Sequence, residues 1–179
     1  MKTRWQAWSL GVLLGTAGCV GVAGQLQTSG TALQIDPPSE LVPMTTNAVL
    51  TQPSGEPGKT VAVLIGVRLL PGWHTYAYVP AEEPYVQTQW LLEPGTGLTA
   101  MGDWIAPPPV PDAQNPRMKL YQSGSQPLIF MHEFRIADNA SGEIGVRTGL
   151  VFQTCNFIRC LPPTRKTFDL KLTVAAQSQ

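Results

Sequence analysis

The residues able to do covalent or metal chemistry in these 179 positions are few: Cys19, Cys155 and Cys160, with His74 and His132. Cys155 and Cys160 stand five positions apart in Phe152-Gln-Thr-Cys155-Asn-Phe-Ile-Arg-Cys160-Leu-Pro-Pro163. Before them Ile144, Val146, Thr148, Leu150 and Phe152 alternate with Gly145, Arg147, Gly149, Val151 and Gln153, and after them Phe168, Leu170, Leu172 and Val174 alternate with more polar residues. This period of two is that of strands with one buried face. Two such strands joined through Asn156 to Arg159 make a hairpin, and a hairpin sets Cys155 and Cys160 opposite each other at about the 5.5 Å Cα separation that a disulfide tolerates. On strict alternation Cys155 lies on the face opposite Leu150 and Phe152, with its sulfur reachable from outside.

Such a pair is either a structural staple or a bridge that opens and closes. On chain-entropy grounds a bridge closing about six residues contributes roughly 2 kcal/mol, the low end for disulfides, and a domain of this length has core enough without it. Neither cysteine begins a helix in a Cys-x-x-Cys, so the usual means of lowering a thiol pKa is missing and only Arg159 brings a neighbouring positive charge. The pair is therefore expected to depend on a partner for activation.

The histidines do not complete a metal site. His132 falls on the apolar face of Leu128, Phe130, Phe134 and Ile136, the place of a hydrogen-bonded core histidine, and His74 follows Trp73 at a turn. Zinc would need four ligands at recognisable spacing, and copper held by Cys155, Cys160 and a Met or His ranks lower still, so no metal and no cofactor is expected.

The elements that must position the cysteines read as all-β. Seventeen glycines and seventeen prolines with few charges indicate short strands and turns. Val61, Val63, Ile65, Val67 and Leu69 give the clearest buried face, and further strands are expected over 48–51, from Val86 through Leu92, and over 128–136. Pro71-Gly72 breaks the chain before Trp73-His74, and the proline-dense stretch Ile105 to Met118 is expected to be a stiff surface loop. The spacings fit a sandwich of about seven to nine strands. The net charge is zero without a Lys/Arg run, which excludes the electrostatic footprint of a nucleic-acid binder.

Residues 1–24 read as a secretory signal: a basic start, Met1-Lys-Thr-Arg4, then an apolar run from Leu10 shorter than the roughly 20 residues of a membrane span. Cleavage follows Val22-Ala23-Gly24, or precedes Cys19 as in lipoproteins, since Thr16-Ala-Gly-Cys19 matches such a box except for Thr where Leu is usual. The second route would anchor the protein to a membrane by lipid on Cys19, its sole expected membrane contact. Residues 25–40 read as a tether and 41–179 as one domain, exported or periplasmic, in which Cys155 and Cys160 are the remaining cysteines.

The run from Phe152 to Pro163 resembles the aromatic-Gln-x-Cys-(x)n-Cys-x-Pro-Pro segment of the N-terminal periplasmic domain of the thiol:disulfide interchange protein DsbD. Leu70-Pro-Gly-Trp-His74, Tyr85-Val-Gln-Thr-Gln-Trp-Leu91 and Leu120-Tyr121 are similar to other segments of that family, so the resemblance spans about residues 60 to 174. It implies an immunoglobulin-like β-sandwich whose catalytic Cys155 and Cys160 cycle between disulfide and dithiol, with Cys160 meeting the partner and Cys155 resolving. It also implies thioredoxin-fold periplasmic partners and a separate transmembrane electron donor, since no later apolar stretch here is long enough to span a membrane. In that family a loop with an aromatic residue caps the cysteines. Here no Phe or Tyr lies between Ile105 and Leu120, leaving Met118 or Tyr121 for that place. The alternative reading is a non-catalytic binding or assembly module with an inert bridge.

Overall fold

The computed structural model describes residues 32–176. The strands run β1 (Met44–Leu50), β2 (Ser54–Gly55), β3 (Thr60–Leu69), β4 (His74–Tyr78), β5 (Gln89–Pro94), β6 (Leu98–Ile105), β7 (Val110–Pro111), β8 (Lys119–Tyr121), β9 (Leu128–Ile136), β10 (Gly142–Phe152), β11 (Thr154–Cys155) and β12 (Thr164–Val174). They form three four-stranded sheets in the orders β1-β3-β9-β6, β2-β12-β10-β5 and β11-β4-β8-β7. The architecture is that of an all-β, immunoglobulin-like β-sandwich.

The alternating apolar residues account for the two large layers. Val61, Val63, Ile65, Val67 and Leu69 all point inward from β3, which lies between β1 and β9. Opposite it, β10 and β12 pair without a break from Gly142↔Val174 to Phe152↔Thr164, and their inward residues face the first sheet. Val63, Phe134, Ile136, Val146 and Leu172 fill one end of the space between the layers, and Ile65, Val67, Phe130, Leu150 and Phe152 fill the other. Each large side chain buried there contributes roughly 1.5–3 kcal/mol.

The edges depart from expectation. The first strand begins at Met44 rather than Ala48, and Leu98–Ile105 forms a strand the sequence did not suggest. Within β6 only Leu98 is fully buried, and its register against β9 shifts between Met101 and Ile105, around Gly102 with its φ of 65°, so no alternation marks it. Of the tether, Leu33 and Ile35 cover Gly66 so closely that a side chain there would collide with both. Residues 1–24 with Cys19, and tether residues 25–31, lie outside the described residues.

Candidate functional site

The cysteines sit where the chain changes sheets. β10 ends at Phe152, and Gln153 then acts as a clamp, its Oε1 accepting from Val86 N at 3.0 Å while its Nε2 donates to Leu161 O at 3.3 Å. Beyond it Thr154 and Cys155 leave the β10 layer and pair with Thr75 and His74 of β4. The expected turn follows: Asn156 N donates to Arg159 O, and Asn156 Oδ1 accepts from the N–H groups of Ile158 and Arg159. Leu161 N donating to Thr154 O closes it from outside. Cys155 and Cys160 are disulfide-bonded across this turn with their Cα atoms 4.0 Å apart, closer than the expected 5.5 Å. The tight loop is thus nested within the longer β10–β12 connection.

The expected exposure of Cys155 is corrected. Its residue is 1% exposed, packed with Tyr76, Met118 and Leu120, whereas Cys160 is exposed. The move to the third sheet after Phe152 is the physical reason, because parity along β10 no longer decides which side of a layer Cys155 faces. At the tip of the turn Phe157 and Ile158 are 83% and 76% exposed, an apolar protrusion beside Cys160. The guanidinium of Arg159 lies 5.7 Å from the ring centroid of buried Trp73, a cation–π contact that steadies the turn.

Cys160 opens onto a groove of about 590 Å³ whose walls are the turn, His74 and Tyr76 of β4, Glu83 and Tyr85, and the proline loop from Asp112 to Met118. That loop is fastened: Asn115 Nδ2 donates to Glu83 Oε1 at 2.7 Å, Arg117 pairs with Glu82, and Val110–Pro111 adds to β8. The expected surface loop is therefore one wall of the site. Of the two candidate capping residues, Met118 packs in the Cys155 cluster, whereas Tyr121 turns into the main core against Phe130. Tyr76 stacks on Tyr85 at 5.0 Å, and burial, reinforced by Tyr85, Asp112 and Glu83, pushes its hydroxyl pKa far up, so it stays protonated. His74 stands edge-on to Tyr76 at 5.2 Å, and burial lowers its pKa below 6.5 against the opposing pull of Asp112.

His132 is 4% exposed in the sandwich core, its ring between Trp104 and Phe134, with Nδ1 at 2.9 Å from Glu133 O and Nε2 at 3.1 Å from Gly102 O. This matches the core role expected for it. Among the described residues no three His, Cys, Asp or Glu side chains are grouped to hold a metal ion, and no helix is long and apolar enough to cross a membrane. Sequence reasoning did not single out Gln153, Tyr76, Tyr85 or Asp112. The signals were Gln153 in the aromatic-Gln-x-Cys run and Tyr85 at the head of a second segment similar to that family.

Comparison with known proteins finds no matching protein family and no matching curated protein. Among solved structures the chain is similar to the N-terminal periplasmic domain of ScsB from Proteus mirabilis, at 19% identity and a TM-score of 0.43, over 82% of this chain and 51% of that one. The chain thus spans about half the length of that structure. It is also similar to AggA, the major subunit of aggregative adherence fimbriae type I from Escherichia coli, at 11% identity and a TM-score of 0.37, over 74% of this chain and 95% of that one. A cohesin module from a Clostridium perfringens family 33 glycoside hydrolase aligns at 11% identity and a TM-score of 0.34, over 72% of this chain and 97% of that one.

Proposed function

We propose that this is an exported thiol–disulfide exchange protein that passes reducing equivalents to thioredoxin-fold partners in the periplasm through Cys155 and Cys160. The observation that carries this reading is the asymmetry of the bridge: Cys155 is sealed at 1% exposure while Cys160 is exposed between a groove and an apolar tip. Exchange needs one sulfur that meets the partner and another that waits until the mixed disulfide forms. In the reduced protein the Cys160 thiolate attacks the partner's disulfide, forming a Cys160–partner bond and releasing the partner's other sulfur as a thiolate. Cys155, deprotonated, then attacks Cys160 Sγ, which restores the Cys155–Cys160 bond and frees the partner as a dithiol. Two electrons and two protons pass to the partner, and a separate reductant, such as a transmembrane donor, must reload the pair.

The exposed Phe157 and Ile158 favour a protein partner, since an apolar tip of that kind gains by being covered. The same tip would serve a binding module with an inert bridge, and two measurements separate the readings. Cys155→Ser is expected to trap covalent complexes with thioredoxin-fold proteins from a periplasmic extract, seen on non-reducing gels and released by reductant, while Cys160→Ser traps far fewer. Equal trapping by both variants refutes the division of labour. No trapping by either, together with a reduction potential below about −300 mV, would establish the inert bridge.

A further inference from the structure

Two buried side-chain nitrogens among the described residues have no hydrogen-bond partner, Arg68 Nε and His74 Nε2, and only His74 belongs to the groove of Cys160. A buried imidazole nitrogen without a partner is unfavourable, which asks for a use. Its position supplies one. His74 and Cys155 are directly opposed in the antiparallel pairing of β4 with β11. Opposed residues project from the same face of a sheet with Cβ atoms about 4.5–5.5 Å apart. Tyr76, two residues along β4 and therefore on that face too, touches both the His74 ring and the Cys155 cluster. The imidazole thus shares a sheet face, one strand across, with the cysteine that solvent does not reach.

Resting on the exchange reading, we infer that His74 accepts the thiol proton of Cys155 in the resolving step. The mixed disulfide leaves Cys155 as a buried thiol, and burial in apolar surroundings opposes its ionisation. Without a base it would seldom be nucleophilic near neutral pH. His74 takes the proton on its free nitrogen, and the Cys155 sulfur forms a bond to Cys160 Sγ. The bond from Cys160 to the partner breaks, its electron pair leaves on the partner's sulfur, which is protonated from solvent, and the imidazolium returns its proton to solvent through the groove. A base must be neutral to act, and burial holds His74 neutral to below pH 6.5 although Asp112 pulls the other way. The other ionisable groups facing the groove are Tyr76 on its own strand, Glu83 and Tyr85 across it, and Arg159 on the turn. Of these Arg159 is engaged with Trp73 and Glu83 with Asn115.

The test is stopped-flow reaction of the fully reduced protein with 5,5′-dithiobis(2-nitrobenzoate), a small disulfide that needs no docking. The first release of thionitrobenzoate reports attack by Cys160, and the second reports resolution by Cys155. His74→Gln and His74→Phe are expected to leave the first phase within about twofold of the parent while slowing the second by about tenfold or more at pH 6.5, a positioned general base contributing roughly 100-fold or more when fully efficient. The gap should narrow as pH rises and the thiol ionises unaided. A second phase unchanged in both variants, or both phases slowed by one common factor at every pH, overturns the assignment. Should neither variant fold, the parent's own second phase decides: a bend below pH 6.5 supports a histidine base, and a rise of about tenfold per pH unit with no such bend refutes it. The two phases occur whether or not any periplasmic partner is captured, so failure here and failure of the exchange reading are told apart.

Discussion

Opening the bridge should barely disturb the sandwich. The disulfide closes a loop of sequence separation 5, for which the entropy of loop closure gives roughly 2 kcal/mol. That figure is an upper bound here, because the turn keeps its own hydrogen bonds when the sulfurs part: Asn156 N to Arg159 O at 2.9 Å, Leu161 N to Thr154 O at 2.9 Å, and the two amides held by Asn156 Oδ1. The two large clusters between the main sheets contain neither cysteine, and Cys155 as a free thiol remains an acceptable small apolar group among Tyr76, Met118 and Leu120. At about 2–4 °C per kcal/mol for a domain near this size, reduction should lower Tm by no more than about 4–8 °C. Thermal melts followed by near-UV circular dichroism, with and without tris(2-carboxyethyl)phosphine, measure this directly. The packed rings of Trp90, Trp104 and Phe130, 4.2 to 5.1 Å apart, report the core away from the cysteines. A fall beyond about 15 °C, or loss of the aromatic signal at 25 °C on reduction, would show that the bridge holds the fold together and would remove the basis for a cycling pair.

Three further outcomes are expected. His132→Leu should destabilise by about 1–3 kcal/mol in urea unfolding, because it deletes the ring contacts to Glu133 O and Gly102 O, while thiol exchange rates stay unchanged; a change in those rates would give His132 a part in the chemistry. Gly149→Ala should cost at least about 1–3 kcal/mol, since the new Cβ would lie 2.1 Å from Lys166 O in the β10–β12 ladder, and an unchanged midpoint would contradict that close approach. The lowered pKa of His74 means that below pH 6.5 the unfolded chain binds a proton more readily than the folded one, so its contribution is complete above that pH and is lost as pH falls. Urea midpoints from pH 7 to pH 5 should therefore drop, and less steeply in His74→Gln; identical slopes would refute the assigned shift.

The large layers were legible because alternation is a local property of the chain. The residues from Val61 to Leu69, from Leu128 to Ile136 and from Ile144 to Phe152 each repeat at the strand period, so any fold that buries them must make these strands, and His132 takes its core place for the same reason. The tight cysteine loop was legible too, since four intervening residues leave little other geometry. Strand β6 was not, because it lies at the sheet edge with a shifted register and buries one residue fully, so no period marks it. The accessibility of the two sulfurs was decided only in three dimensions: Gln153 carries the chain from one sheet to another, and alternation stops predicting sides at a change of layer. The groove was equally hidden, since it joins β4, the segment around Glu83, the proline loop and the cysteine turn, pieces that lie far apart along the described chain, from Gly72 to Cys160. Sequence determined which residues pair along a strand, because that depends on near neighbours, whereas tertiary packing alone set His74 opposite Cys155 and left Cys160 open, because those contacts depend on which layers meet.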